Sequence, residues 1–404
     1  MRVTNHTMYT QTAQSLLKAN ERYLKINEKI AEESNIVRPS DDPNGAGQVL
    51  NYQAENALND QYEKTMTLAK NALDYEEVSL ESLNTSMDSA NVLLIQAQNS
   101  AYSTADLSSI ADELSLIVES MADLMNSKDA GGNYIFSGSD SSSPTMSLNG
   151  SGEYVYGGNE TQNKAQIADG VSIPVNDTGK KIFQDVWTRN TFSASVTAGG
   201  ATLTSLVDDQ DAYNRFVDEN YDAITPANNT YTLTSTVGTP NSYSFTDASG
   251  NVVDSGTYQD GNEINVNGMS FSLDSAGATV SVTLDTPTRD NVLNELNDTI
   301  SVLQDPNATD AERTAALRNA TESIENTQET VGTAISEVGS RKNTISSRES
   351  YIASKEISNE LAMNEIAGID VSEAATELQS ANSAISATQS LFTRLANLSL
   401  FNSL

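Results

Sequence analysis

The 404-residue sequence predicts a mainly α-helical protein with an inserted β region: a long helical bundle or coiled coil formed by both chain ends, plus an outward antiparallel β domain. Three observations carry that prediction. Apolar residues recur at alternating steps of three and four before about residue 136 and after about residue 287, which is the face of a helix. Between those points they alternate every second residue, which is the face of a strand. Acidic charge avoids the two ends of the chain.

The elements follow in order. Tyr9, Ala13, Leu16, Asn20, Tyr23, Asn27 and Ile30 form a stripe that predicts a first helix. Two of its seven positions are asparagine, a residue that fixes register in a helical seam at some cost in stability. Residues 35–47 break that helix and open the next. Arg38, Pro39, Ser40, Asp41, Asp42, Pro43 and Gly45 compose the connecting loop, with Asp42 suited to the N-cap and Pro43 to the first helical position. A long second helix is expected from Met66, Ala69, Leu73, Glu76, Leu80, Leu83, Met87, Ala90, Leu94, Ala97 and Ala101, in which only Glu76 is polar. After a break at Ser103 and Thr104, Leu107, Ile110, Leu114, Ile117, Met121 and Leu124 predict a third.

The alternating region contains Tyr231, Leu233, Tyr243, Phe245, Ile264, Val266, Phe271, Leu273, Val280, Val282 and Leu284. Ser249-Gly250-Asn251, Asp260-Gly261-Asn262 and Asn267-Gly268 mark its turns. Beyond it, Thr309 and Glu312 make a capping box for a helix striped by Leu317, Ala320, Ile324, Thr327, Val331, Ala334, Val338, Arg341, Ile345, Arg348 and Ile352. A last seam runs through Val371, Ala374, Leu378, Ala381, Ile385, Thr388, Phe392 and Leu395. Helices before and after a β insertion must pack on each other, so the two ends of the chain are expected to meet.

Composition narrows the function. Twenty-two Lys and Arg against 55 Asp and Glu leave a net charge of −33, which repels a phosphate backbone and makes nucleic acid an unsuitable partner. There is no Cys, and His6 is the only histidine, so thiol nucleophiles, disulfides and Cys/His zinc sites drop out. Catalytic, metal and cofactor-binding residues are therefore not expected. Asp41 and Asp42 read as turn and cap, and Asp208, Asp209 and Asp211 as a solvated acidic patch. No stretch approaches the roughly 20 apolar residues of a membrane helix, and the first 13 residues lack the apolar core of a secretory signal. Residues 1–33 sum to +1 and residues 371–404 to −1, so the ends can crowd together without Coulomb cost. Their stripes are thin, which predicts that both ends are largely unfolded in the isolated subunit and become helical only on assembly.

The loop from Arg38 to Pro43, taken with neutral helical ends and a β insertion, resembles the matching loop of the flagellin superfamily. Its Arg-Pro-Ser-Asp-Asp-Pro form looks like that of the hook-filament junction proteins, whereas flagellins proper usually read Ala-Lys-Asp-Asp-Ala-Ala-Gly. Gly132-Asn133-Tyr134-Ile135-Phe136-Ser137-Gly138 followed by Pro144, the stretch from Tyr154 to Pro174, and Leu378-Gln379-Ser380-Ala381-Asn382 through Leu398-Ser399-Leu400-Phe401 are similar to segments of the same family. Residues from about 190 to 288 match nothing nameable.

The resemblance implies a non-enzymatic structural subunit joining the flagellar hook to the filament. It implies a terminal coiled-coil assembly domain of residues 1–33 with 371–404. A helical rod of 34–189 with 289–370, carrying a β-hairpin at about 150–186, and a variable outer β domain of 190–288 complete the scheme. The implied partners are identical copies in a ring, a hook-side junction protein, flagellin and an export chaperone, without membrane insertion. The implied location is extracellular, on the bacterial flagellum, reached without a cleaved signal peptide. Filament flagellin, or a surface binding module on a coiled-coil stalk, are the alternatives.

Overall fold

The computed structural model describes residues 5–99, 102–259 and 261–401. Ala101 of the second stripe and Asp260 of the second turn signal lie outside them, as do the side chains of His6, Leu395 and the segment 398–401. The chain forms two compact units: residues 1–70, 165–173 and 342–404 in one, and residues 71–164 and 174–341 in the other.

The first unit opens with α1 (Asn5–Ala31) and closes with α7 (Val371–Phe401), which pack along each other. They run antiparallel, because Tyr9 meets Phe392 with ring centroids 4.9 Å apart while Arg22 pairs with Glu377 at 2.7 Å. Between them in sequence come α2 (Pro43–Ala97) and α6 (Asp310–Ala367), each of which passes through both units. Within the first unit, Asn359 Nδ2 donates to Asn56 Oδ1 at 2.7 Å and Lys355 pairs with Glu55 at 2.5 Å. A hairpin of β3 (Lys164–Ala168) and β4 (Val171–Pro174) buries Ile167, Ala168 and Ile173.

The second unit holds two hydrophobic clusters. One is helical and joins α2, α3 (Thr104–Met125), α5 (Val292–Gln304) and α6 around Phe136 and Phe183. The expected stripe of α2 lies inside from Met66 through Ala97, every member being buried, Glu76 included. In α6 the expected stripe is buried as well, apart from Arg341 and Arg348, which are half-buried. Both expected helix starts are found. Ser103 and Asp106 close a capping box on α3, and Thr309 with Glu312 closes one on α6. Around this cluster, β1 (Met146–Leu148) pairs with β2 (Tyr154–Tyr156), and β5 (Val186–Trp187) pairs with β14 (Arg289–Asp290). The hairpin expected at about 150–186 is thus the β3–β4 pair, while Tyr154–Tyr156 turns back onto β1.

The other cluster is the core of the β insertion. A five-stranded antiparallel sheet runs in the order β10 (Val252–Tyr258), β9 (Asn241–Thr246), β8 (Thr230–Thr236), β13 (Thr279–Leu284), β6 (Phe192–Ala198). A three-stranded sheet follows the order β11 (Ile264–Val266), β12 (Met269–Leu273), β7 (Leu203–Val207). The alternating residues fill this core, with Tyr231 stacked on Phe245 at 5.2 Å. Asn267 and Gly268 form the two-residue turn that their sequence predicts, both at positive φ (47° and 80°). Gly268 is required twice over, since a Cβ there would sit 2.3 Å from the Asp209 carbonyl oxygen.

Two helices, α5 and the one over Gln210–Asn220, have no counterpart among the sequence expectations. Residues Gln210–Asn220 form α4, whose Tyr213, Phe216 and Val217 pack into the β core. Asp209, taken as part of an acidic patch, is the N-cap of this helix and accepts the Ala212 N–H at 2.9 Å.

Candidate assembly interface

The loop between α1 and α2 is held by its own sequence. Asp42 Oδ1 accepts the Asn44 N–H at 3.1 Å, so it caps α2, and Pro43 is the first helical residue. Asp41 takes Lys25 Nζ at 2.7 Å and the Arg38 N–H at 3.2 Å, and the lysine contact is the main cause holding its carboxyl below the usual carboxylate value. Arg38 reaches Glu28 at 3.0 Å. Gly45 is buried, and a Cβ there would approach Asp42 Oδ2 to 2.5 Å and Ile36 Cδ1 to 2.7 Å, displacing the cap. Arg38, Pro39 and Ser40 remain exposed.

This loop is bound to the connection between α6 and α7. The Asn35 N–H donates to the Ala367 carbonyl at 2.7 Å, and Asn35 Nδ2 donates to the Gly368 carbonyl at 2.8 Å. Asp370 Oδ1 caps α7 by accepting from Ser372 N at 2.8 Å and Glu373 N at 3.1 Å. Sequence reasoning missed this junction, although Gly368 just past a helix and Asp370 just before the next are ordinary stop and start signals. A cavity of about 350 Å³ opens beside it, lined by Glu32, Ile36, Pro39, Val49 and Ala367.

The terminal stripes divide unequally. On α7, Ala374 and Ala381 are buried, Leu378, Ile385, Thr388 and Phe392 are half-buried, and Val371 is exposed. On α1, Ala13, Leu16, Tyr23 and Ile30 are half-buried and Tyr9 is exposed, while Asn20 and Asn27 face outward. Ala19 and Ile26 take the inward places, and Ile26 is only 4% exposed. The physical reason is that a step of three from Leu16 or Tyr23 reaches the same face as a step of four, and the apolar neighbour wins the shared contact.

Among the mostly polar residues that the α1–α7 pair leaves outside are several large apolar ones. Leu17 and Leu24, seven residues apart, are 70% and 63% exposed, and Leu391 is 56% exposed. Isolated exposed leucines are ordinary, but a ridge of them at helical spacing marks a surface that another helix can cover. Elsewhere in this unit, carboxylates of Asp60, Glu63 and Glu356 come within 4.8 Å of one another. Burial and the charges of Glu63, Asp60 and Glu360 raise the Glu356 pKa.

The buried polar group of the α2 stripe belongs to a separate arrangement in the second unit. Glu76 Oε1 accepts the Asp177 N–H at 2.9 Å, and Arg341 grips the Asp177 carboxylate through two bonds of 2.8 and 2.9 Å. Burial, then the neighbouring Asp177 charge, pushes the Glu76 pKa up to about 8. Its Oε2 has no hydrogen-bond partner, which a neutral carboxyl tolerates better than a carboxylate does.

Residues 3–141 match the bacterial flagellin N-terminal helical region. The chain is 28% identical to flagellar hook-associated protein 3 of Escherichia coli over 208 residues, covering 52% of this chain and 65% of that protein. The chain thus spans just under two thirds of the length of this curated relative. Among solved structures, FlgL from Xanthomonas campestris aligns with a TM-score of 0.57 at 21% identity, covering 78% of this chain and 99% of that one. The flagellar junction protein FlgL from Legionella pneumophila aligns at 0.52 with 25% identity, covering 74% and 98%. With its N-terminal helical region, its helical framework and its inserted antiparallel β region, the chain is similar to bacterial flagellin in its N-terminal third and to flagellar hook-associated protein 3 over about half its length.

Proposed function

We propose that the chain is a structural subunit of the bacterial flagellum that joins the hook to the filament, and that the α1–α7 pair is its assembly surface. The observation that carries this reading is the exposure of Leu17 and Leu24 on α1 and of Leu391 on α7, in a helix pair whose charge sums to nearly zero within a chain of net charge −33. Copies can bring such surfaces together without repulsion while the acidic remainder stays in water. Residues 1–33 with 371–404 form the assembly layer, 34–189 with 289–370 the rod, and 190–288 the outer layer. The partners are identical copies in a ring, a hook-side junction protein, flagellin and an export chaperone, and the working location is extracellular. The cavity beside the α1–α2 loop supplies a socket for a neighbour's side chain.

Electron microscopy of a deletion strain tests the reading. It should show hooks without filaments, with flagellin lost to the medium, and Leu17→Lys with Leu24→Lys should reproduce that defect although the variant is still exported. Normal filaments in the deletion strain would exclude the role. Counting copies per flagellum separates a junction subunit from filament flagellin, which vastly outnumbers it.

A further inference from the structure

We propose that the cleft between β6, β7 and the first turns of α6 binds a small carboxylate-bearing ligand of the acidic-sugar class. The cleft has a volume of about 460 Å³, within the range of small-molecule sites. Its walls combine the half-buried ring of Phe192 and the methyl groups of Ala311 and Ala315 with the hydroxyls of Thr204, Ser205 and Thr314. An apolar face with several hydroxyls beside it suits a sugar ring.

Two arginines set the charge. Arg189 donates Nε to Gln210 Oε1 at 2.7 Å and Nη1 to Asn319 Oδ1 at 3.4 Å, and Arg318 donates Nη1 to the Val207 carbonyl at 2.8 Å. All three acceptors are neutral. Among the described residues no carboxylate pairs with either guanidinium, whereas Arg22, Arg38, Arg313 and Arg341 each hold one. In a chain with 55 acidic and 22 basic residues, two cations placed side by side without a direct counterion are conspicuous. Burial and the Arg318 charge lower the Arg189 pKa, with Glu322 offsetting part of it, so the pair is under electrostatic tension that an arriving anion relieves.

The structural work done by these side chains consumes only three of their N–H groups. A planar fork of the remaining donors matches a carboxylate in two bonds. Asp310 also lines the cleft and is fully exposed, so a ligand with one negative charge is favoured over a phosphate with nearly two.

Titration calorimetry on the full chain with methyl glucuronoside tests the assignment, with its uncharged methyl ester as the paired probe. The acid should bind at least about tenfold more tightly than the ester, as expected for a charge-assisted pair. Arg318→Gln should lose about that factor, while Arg289→Gln, outside the cleft, should not. Equal binding of acid and ester, or no binding of the acid, would overturn the proposal, and that comparison needs no variant to fold. Inorganic phosphate binding as tightly as the acid would overturn the sugar class.

Discussion

Helices α1 and α2 carry stripes of the same period, yet one is buried and the other is barely covered. In α2 the ten described stripe positions from Met66 to Ala97 are all buried, seven of them completely. Among the described side chains of α1 only Ile26 is buried, and the seam also holds alanine and tyrosine. Periodicity says which face is apolar; the bulk of what packs against that face decides whether the helix is stable by itself. The α2 stripe meets Leu, Ile and Met side chains of α3, α5 and α6, whereas α1 meets mainly Ala374, Ala381 and half-buried residues of α7. Under the proposed function, a stripe so weakly covered is completed by a further helix.

Breaking the well-covered region should produce the largest effects. Arg341→Met leaves the Asp177 carboxylate buried without its cation, and removal of one member of a buried pair costs about 3–5 kcal/mol. Thermal unfolding should show that loss in the second unit. Leu80→Ala should cost about 2–5 kcal/mol by opening a cavity, whereas Leu16→Ala in α1 should cost under about 1 kcal/mol in the free subunit while reducing assembly. Equal losses for the two leucines would erase the distinction between the helices.

Glu76 gives a graded test. Its pKa rises from 4.5 to about 8 on folding, so the folded chain keeps a proton that the unfolded chain releases. The stability this contributes is fully present below about pH 4.5 and is lost as pH rises through about 8. Glu76→Gln, which resembles the protonated form, should flatten the fall in melting temperature between those pH values and melt above the parent at pH 9. A parent melting temperature that rises across the same window would contradict the assignment. The smallest effect is expected from Asn20→Leu with Asn27→Leu. Both residues face water in the free subunit, so its unfolding should change by no more than about 0.5 kcal/mol. Assembly should strengthen while register becomes less certain, read as off-pathway oligomers.

The sequence made the helices legible because burial follows period closely in a bundle. Met66 to Ala97 and Leu317 to Ile352 were readable for that reason, as was the turn at Asn267 and Gly268, whose backbone chemistry is local. Helix α4 was missed because its three buried positions, Tyr213, Phe216 and Val217, are too few to establish a period, and the acidic residues around Asp209 drew attention to charge rather than capping. The α1 seam was legible to within one residue. Choosing between Asn20 and Ala19, or Asn27 and Ile26, requires knowing where α7 lies, and no local rule supplies that. The tie from Asn35 to Ala367 and Gly368 was not readable for the same reason: it joins residues more than 330 positions apart.

Hydrogen exchange on the free subunit and on assembled material measures the central claim directly. Free, amides in 7–31 and 371–394 should exchange far faster than those under the α2 and α6 stripes, and assembly should slow them by at least about a hundredfold. Amides in the two terminal helices that are already slow in the free subunit and unchanged on assembly would show that the α1–α7 pair is complete without a neighbour, and the account would fail.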